Sequence, residues 1–430
     1  MQNQDSSVEE FCLSIECSTQ KRSILLFYRI ILFENNLARM SAMSKNIVKN
    51  QHYVSEFILR NFANEKKQVV ECQLKHKKAY PININRSMSS KYTYEHNKLE
   101  QNLLEKYFSK LESKVAPTLK KIVNELEKEM SNTRLVYELV CSIFIELLVF
   151  YYRSGALLHE FTSQYGLVKS DEKIELLIKK IINFKYLNDL KTMIVNNYEW
   201  SIIKNDKNDF ILSDQYISTA ALSAKSRFLN ITNRHMGLKD VIILIPISSR
   251  FYFVFYNGKK PNYIKKEQLC TLNESQTFEI NVAILNNSYQ KCISCNDEAL
   301  TRVLDRFNEV NPVGSFAHYN SGYKEFKVKK EVFFYEEDLT SYEFFTSFRF
   351  RKYKNLKRNE RCVCKSGMKY KNCCLIYVQK AELIFNDFQR NVNPLSYSAN
   401  PYNIIEQSIN EVFSIEEPQL FKDIRLASKK

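Results

Sequence analysis

Apolar residues recur at helical spacing through the first half of the chain. Over Asn97 to Val115 and Pro117 to Met130, Leu99, Leu103, Tyr107, Leu111, Leu119, Val123 and Leu126 form one stripe. That i, i+3/i+4 pattern predicts amphipathic helix. Pro117 has no amide proton and is expected to kink or split the stretch. Thr133 to Phe161 is apolar almost all round, which predicts one long buried helix. Asp171 to Asn197 is amphipathic, opens on Asp171 and Glu172, and is expected to end at Trp200. The period then changes. Val69 to Leu74 reads as a strand and Asp209 to Leu212 as a short one. Val241 to Ile247 and Phe251 to Tyr256, rich in β-branched and aromatic residues around Ser248-Ser249-Arg250, predict an antiparallel hairpin. Asp297 to Asn308, Ile376 to Phe388 and Asn403 to Phe413 read as further helices, and Asn311 to Ser341 as a connector with one strand.

This pattern predicts an α+β fold: a mostly helical domain with a small antiparallel sheet, then a small metal-binding module and C-terminal helices. The expected divisions are an extension over residues 1–42, the α+β domain over 43–310, a connector over 311–345, the module with its basic flank over 346–376, and helices and tail over 377–430. Met40 and Met43 stand just before Ser44-Lys45-Asn46. The first forty-two residues are therefore expected to be a non-native start-site extension or a loosely attached helix.

Composition supports long helices. Glycine occurs only 7 times and proline 8 times in 430 residues, and a hydrophobic fraction of 44% is ample for a core. The formal charge of +15 favours polyanionic partners, nucleic acid first. The charge is concentrated between Arg349 and Lys371, where ten basic residues face one acid, Glu360. Candidate phosphate contacts are Arg349, Arg351, Lys352, Lys354, Lys357, Arg358, Lys369 and Lys371, with Phe348, Phe350, Tyr353 and Tyr370 interleaved as stacking groups. A merely solvated face is the alternative. No membrane association is expected. Ser23 to Phe33 is short and broken by Arg29, and Leu139 to Tyr152 is too short to span a bilayer and contains Glu146.

Four of the eleven cysteines lie within thirteen residues, as Cys362/Cys364 and Cys373/Cys374. Structural zinc takes four soft ligands in a tetrahedron, and two close pairs joined by a turn meet that need. Ser366-Gly367 suits the turn. Lys365, Lys369 and Lys371 favour the thiolate form. A redox-active or unmetallated cluster is the alternative. The other cysteines (Cys12, Cys17, Cys72, Cys141, Cys270, Cys292 and Cys295) show no disulfide framework, and reduced thiols fit a cytoplasmic protein.

The cluster resembles the SEC-C motif, Cys-x-Cys-Gly-Ser-Gly-x-x-Tyr-x-x-Cys followed by Cys or His, over about residues 359–375. All four ligand positions are kept, as are Ser366, Gly367, Lys369, Tyr370 and Lys371. The resemblance implies Zn2+ as a structural cofactor held by Cys362, Cys364, Cys373 and Cys374. The main departure is Lys365 in place of glycine, at a position that favours positive φ.

A second resemblance covers about residues 49–310. Gln51-His52-Tyr53-Val54-Ser55-Glu56-Phe57-Ile58-Leu59-Arg60-Asn61-Phe62-Ala63 is similar to the opening of the domain-of-unknown-function 4238 family, with Ser55 where proline is usual. Leu99-Glu100 to Leu119, Phe210-Ile211-Leu212-Ser213-Asp214, Ile245-Pro246-Ile247-Ser248 and Asn281 to Asn287, the last resembling a helix opening, follow in the family's order. Gln215 and Tyr216 stand where Asn-Pro is usual. The family has no established activity and so implies no catalytic residue.

The polar residues of these stretches leave two functional readings. In the first, the cysteine module and its basic flank recruit the chain to nucleic acid, a ribosome or a protein partner, in a regulatory or defence role. In the second, His52, Glu100, Glu112 and Asp214 converge in a hydrolase site of nuclease type, since a histidine with carboxylates can hold a divalent ion or move protons. Arg60, Arg153 and Ser213 are further candidates. Each of these residues also has a structural reading as a cap, an ion-pair partner or a turn residue. No Gly-rich phosphate loop, Gly-x-Ser-x-Gly or His-Glu-x-x-His is present.

Overall fold

The computed structural model describes residues 48–154, 170–207, 209–224, 236–307, 314–319, 322–327, 332–340, 350–353, 355–380, 382–383 and 415–429. The expectations for residues 1–42, for the end of the Thr133 to Phe161 stretch and for Asn403 to Phe413 lie outside these residues. In chain order the elements of the larger domain begin with β1 (Asn50–His52), α1 (Glu56–Arg60), β2 (Gln68–Gln73), β3 (Lys78–Asn83) and β4 (Ser89–Lys91). Four helices follow the first strands: α2 (Leu103–Leu126), α3 (Thr133–Ser142), α4 (Phe144–Arg153) and α5 (Ser170–Ile182), with α6 (Phe184–Asn197) after them. Next come β5 (Glu199–Lys204), β6 (Leu212–Ser213), β7 (Ser218–Ala221), β8 (Val241–Pro246), β9 (Phe251–Tyr256) and β10 (Leu269–Thr271). The domain closes with α7 (Glu274–Asn287), β11 (Lys291–Ser294) and α8 (Asp297–Val303). A hairpin of β12 (Gly314–Tyr319) and β13 (Gly322–Lys327) follows, and α9 (Glu417–Lys429) lies near the C-terminus.

The helices differ from the sequence expectation in three places, each for a local reason. Pro117 does not break α2. Its ring is on the exposed face, and Ser113, whose carbonyl it cannot engage, is exposed too. Water can satisfy that carbonyl while Val115, Leu119 and Ile122 hold the opposite face in the core. The apolar stretch after Thr133 is two helices that meet at Ile143 with a 60° bend. The long amphipathic stretch is likewise divided at Asn183, whose side chain accepts the Tyr186 amide and starts α6. Asn132, Asn273 and Asn296 cap α3, α7 and α8 in the same manner. Asn273 and Gln276 complete a capping box.

β1 pairs with β4 as a separate two-stranded ribbon, and two larger sheets carry the other strands of the domain. The first has the order β10-β5-β9-β8-β7, with β10 parallel to β5 and the other pairs antiparallel. Its central hairpin, β8 and β9, is buried along its whole length, which explains the unbroken apolar runs. Trp200 lies inside β5 rather than ending a helix, and its ring packs against both Tyr137 and Phe253, which also stack on each other. The second sheet is antiparallel, in the order β3-β2-β11-β6. Pro81 is accommodated because β3 is an edge strand, where a missing amide proton need not break a ladder.

Residues 214–217 join β6 of one sheet to β7 of the other. Tyr216, 1% exposed, holds φ at +72° there, a left-handed conformation unusual for a side chain of its size. Asn287 at the end of α7 covers the outer edge of β7, accepting the Thr219 amide and donating to its carbonyl. Beside it, Ala221 pairs with Phe333, so the connector adds a short strand segment to the same edge. Helix α9 returns to the larger domain and places Leu420 and Ile424 in the same apolar core as α2 and α5. Among the described residues no single helix is long and apolar enough to cross a membrane; the bent α3–α4 pair approaches that composition, and α4 is buried in the core.

Candidate functional site

The cysteine module is a small structure with its own packing. Cys362, Tyr370, Cys374 and Val378 form its centre, flanked by Tyr353, Leu356 and Leu375. Tyr353 and Tyr370 stack at 6.0 Å between ring centroids. A short antiparallel bridge between Arg361 and Lys369 closes the turn, and the Cys362 amide donates to the Met368 carbonyl at 2.8 Å. The turn needs two left-handed residues, Lys365 at φ +68° and Gly367 at φ +77°. Ser366, between them, has its hydroxyl 3.2 Å from Cys373 Sγ.

The four Sγ atoms of Cys362, Cys364, Cys373 and Cys374 all lie within 4.8 Å of one another. Cys364 and Cys373 are 3.4 Å apart, and Cys373 and Cys374 3.7 Å. Zn–S bonds of about 2.3 Å in a tetrahedron require S···S edges of about 3.8 Å. The set is therefore compatible with a four-thiolate metal ion. Hydrogen bonds from Ser366, then from neighbouring thiols, hold the Cys364 thiol down to about 6, so it binds metal readily as thiolate. Four protein ligands leave no open coordination position, which suits a structural ion rather than a catalytic one.

Of the candidate phosphate contacts, Lys352, Lys357, Arg358, Lys369 and Lys371 are exposed around this cluster, as are Arg361 and Lys365. None of these seven pairs with a carboxylate among the described residues. Arg351 lies in a short 3-10 turn, Phe350–Tyr353. Arg349 and Lys354 lie outside the described residues.

The candidate catalytic residues occupy separate roles. Arg153, at the end of α4, is 2% exposed. Its Nη1 donates to Glu112 Oε1 at 2.5 Å and to Ser55 Oγ at 3.2 Å, and its Nη2 donates to the His52 carbonyl at 2.5 Å. The guanidinium packs 4.4 Å from the Phe108 ring centroid. His52 and Glu112 thus meet at one buried arginine, but His52 meets it through its backbone. The His52 ring turns to the Ile84 carbonyl at 3.2 Å, and burial, helped by the Arg153 charge, holds its pKa below the usual 6.5. Glu100 is exposed just ahead of α2, and among the described residues no hydrogen bond or ion pair joins its side chain to this cluster. Asp214, 2% exposed, accepts the backbone amides of Tyr289, Gln290 and Lys291 at 2.8 to 3.0 Å. It locks the loop between α7 and β11. Arg60 makes an exposed pair with Glu56, and Ser213 accepts the Gln215 amide within the turn.

Comparison with known families now bears on these residues. The family described as "Protein of unknown function (DUF4238)" matches residues 50–298. The chain belongs to the DUF4238 family. The SEC-C motif matches residues 358–375. No curated protein and no solved structure matches the chain.

The DUF4238 domain uses its matched polar residues to hold backbone. Asn281 accepts the Ile211 amide and donates to the Asp209 carbonyl, and Asn287 does the same for Thr219. The Asn281 to Asn287 stretch, expected at a helix opening, forms the last turns of α7 instead, because the capping box at Asn273 starts that helix earlier. Asn61 Nδ2 donates to the Ile247 carbonyl, joining the family's opening string to its Pro-Ile-Ser strand pair. One residue escaped sequence reasoning altogether. Glu71, fully buried in β2, accepts from Tyr80, Ser87 and the Met88 amide and pairs with Lys291 at 2.8 Å. A lone glutamate between Val70 and Cys72 in the middle of the strand is the signal the sequence carries for it.

Proposed function

We propose that the protein is a zinc-binding recruitment factor whose C-terminal module docks it on nucleic acid, with the DUF4238 domain as the rigid body so delivered. The ion is Zn2+, structural, held by Cys362, Cys364, Cys373 and Cys374. The observation that carries this reading is the exposed, carboxylate-free set of seven basic side chains around a closed four-sulfur cluster. Such charges remain available for phosphates, and each contact releases counterions. Tyr353 and Tyr370 serve mainly the module's core, so electrostatics dominates over base stacking. In this reading the protein works in the cytoplasm, where thiolates stay reduced, in a regulatory or defence role, and free RNA or ribosomal RNA is the ligand class.

The hydrolase reading draws little from the geometry. Asp214 is occupied by three amides, Glu100 faces solvent, and the His52 ring serves a carbonyl. The deciding experiment is metal analysis and RNA binding on the same preparation. We expect one zinc per chain, lost in Cys362→Ser/Cys373→Ser, and binding that weakens steeply with salt in the native protein. A native protein free of zinc, or one whose RNA affinity is negligible at low salt, would overturn this reading.

A further inference from the structure

The DUF4238 domain carries a second concentration of positive charge that lies far from the cysteine module in sequence. The tip of the β2–β3 hairpin is Leu74-Lys75-His76-Lys77, closed by the pairing of Gln73 with Lys78. Only Leu74 of these is buried; Lys75, His76, Lys77 and Lys78 are all exposed. The tip is a defined structure. Leu74 to His76 form a 3-10 turn, Lys77 closes it in the left-handed region at φ +47°, and the Leu74 amide is fixed to the Gln290 carbonyl at 2.9 Å. Folding brings a second element beside it: the 3-10 turn Leu304–Arg306 after α8, where Asp305 lies 3.8 Å from Lys77. Arg306 in that turn is exposed, and its backbone carbonyl accepts Asn286 Nδ2.

Four cationic side chains, Lys75, Lys77, Lys78 and Arg306, therefore meet one acid at this corner. The Lys77–Asp305 pair is long and its partners are 55% and 96% exposed, so it does not neutralise the patch. Lys75, Lys78 and Arg306 have no carboxylate partner among the described residues. We propose that the β2–β3 hairpin tip, together with Arg306, is a second nucleic-acid contact that binds backbone phosphates. The charge is delivered by backbone fixed at both ends, so little ordering is required on binding. With no aromatic residue at the tip, the contact positions the strand and does not read sequence.

This inference extends the proposed recruitment of the chain to nucleic acid but rests on different residues. The test uses the full chain and a single-stranded RNA of about 20 nucleotides, with binding followed against salt. Lys75→Gln/Lys78→Gln/Arg306→Gln removes three exposed charges without altering the left-handed Lys77. If each contacts one phosphate, the slope of log affinity against log salt should fall by about 2, at about 0.7 per contact on single strands. Lys75→Arg/Lys78→Arg should retain the native slope, and thermal melting of all variants should match the native chain. A module variant, Lys369→Gln/Lys371→Gln, runs in parallel. If the tip variant binds as the native chain while the module variant weakens, the second contact is overturned and the recruitment reading stands. If the tip variant weakens and the module variant does not, the contact stands and the module reading falls. Retention of the native chain on anionic phosphatidylserine vesicles with no measurable RNA binding would overturn the contact as a nucleic-acid site.

Discussion

Arg153 Nη1 and Ser55 Oγ converge on the same atom, Glu112 Oε1, from 2.5 and 2.8 Å. Ser55 stands at the start of α1 and Arg153 at the end of α4, and Arg153 also reaches the His52 carbonyl. The cluster thereby ties β1, α1, α2 and α4 together at one buried point. Removing one partner of such a set leaves a buried charge or donor unsatisfied, which is costly. Arg153→Met should destabilise the larger domain by about 3–5 kcal/mol. Glu112→Gln should cost less, about 1–3 kcal/mol, because the guanidinium keeps Ser55 and the His52 carbonyl. Urea denaturation of both single variants and the double variant checks this. Equal losses in the two single variants would show that Arg153 has no partner of weight besides Glu112.

The His52 ring gives the fold a pH dependence of known sign. Its folded pKa lies below 6.5, chiefly through burial, so the unfolded chain takes up a proton first as pH falls. The stabilisation from the neutral ring is fully present above pH 6.5 and is lost as pH falls from there through the folded pKa. His52→Gln should flatten this limb of a stability profile while the losses at lower pH, where carboxylates titrate, remain. A variant profile that keeps the full slope just below pH 6.5 would assign that limb to another group.

Trp200, the chain's single tryptophan, offers a way to watch the two structures separately. It sits in the core of the larger domain, whereas the module has its own apolar centre around Cys362 and Tyr370. That centre is too small to fold on apolar burial alone, so in the proposed zinc-bound form the metal supplies its stability. Treatment with a strong chelator should release zinc and disorder the module while leaving the Trp200 emission maximum in place. Tyrosine-region circular dichroism should change through Tyr353 and Tyr370, which stack on each other. A red shift of Trp200 on chelation would show that the metal also supports the larger domain.

The features legible from sequence were those whose partners lie close in the chain. The four clustered cysteines fall within thirteen residues, and only four residues separate β8 from β9, so spacing and periodicity expose both. Strand β7 is Ser-Thr-Ala-Ala, with no β-branched apolar run; it is a strand because β8 pairs with it and Asn287 closes its edge. Strand β3 carries Pro81 and Trp200 follows a helical stripe, so local pattern argued against both as strand residues. The break at Asn183 is made by a single N-cap side chain within an amphipathic run, which periodicity alone does not mark. The roles of Arg153 and Asp214 depend on partners 41 and about 75 residues away, beyond the reach of any periodicity.

Lys365 is the residue at which the module departs from its motif, and the structure gives that departure a physical consequence. Its φ of +68° places it in the left-handed region, which glycine enters freely and lysine does not. The turn cannot relax, because the Lys365 amide donates to the Cys362 carbonyl at 3.3 Å and Cys364 must still reach Cys373. A non-glycine residue held there costs about 1 kcal/mol or more. Lys365→Gly should therefore favour the closed module and tighten zinc binding by roughly fivefold, the equivalent of about 1 kcal/mol. Two effects oppose it: glycine is more flexible in the open chain, and one positive charge near the thiolates is lost. Lys365→Asn separates them, since asparagine tolerates the left-handed region without glycine's flexibility. Competition against a zinc-sensitive dye gives the affinities. Tighter binding in both variants assigns the native deficit to backbone strain at Lys365, and weaker binding in both assigns the larger effect to its charge.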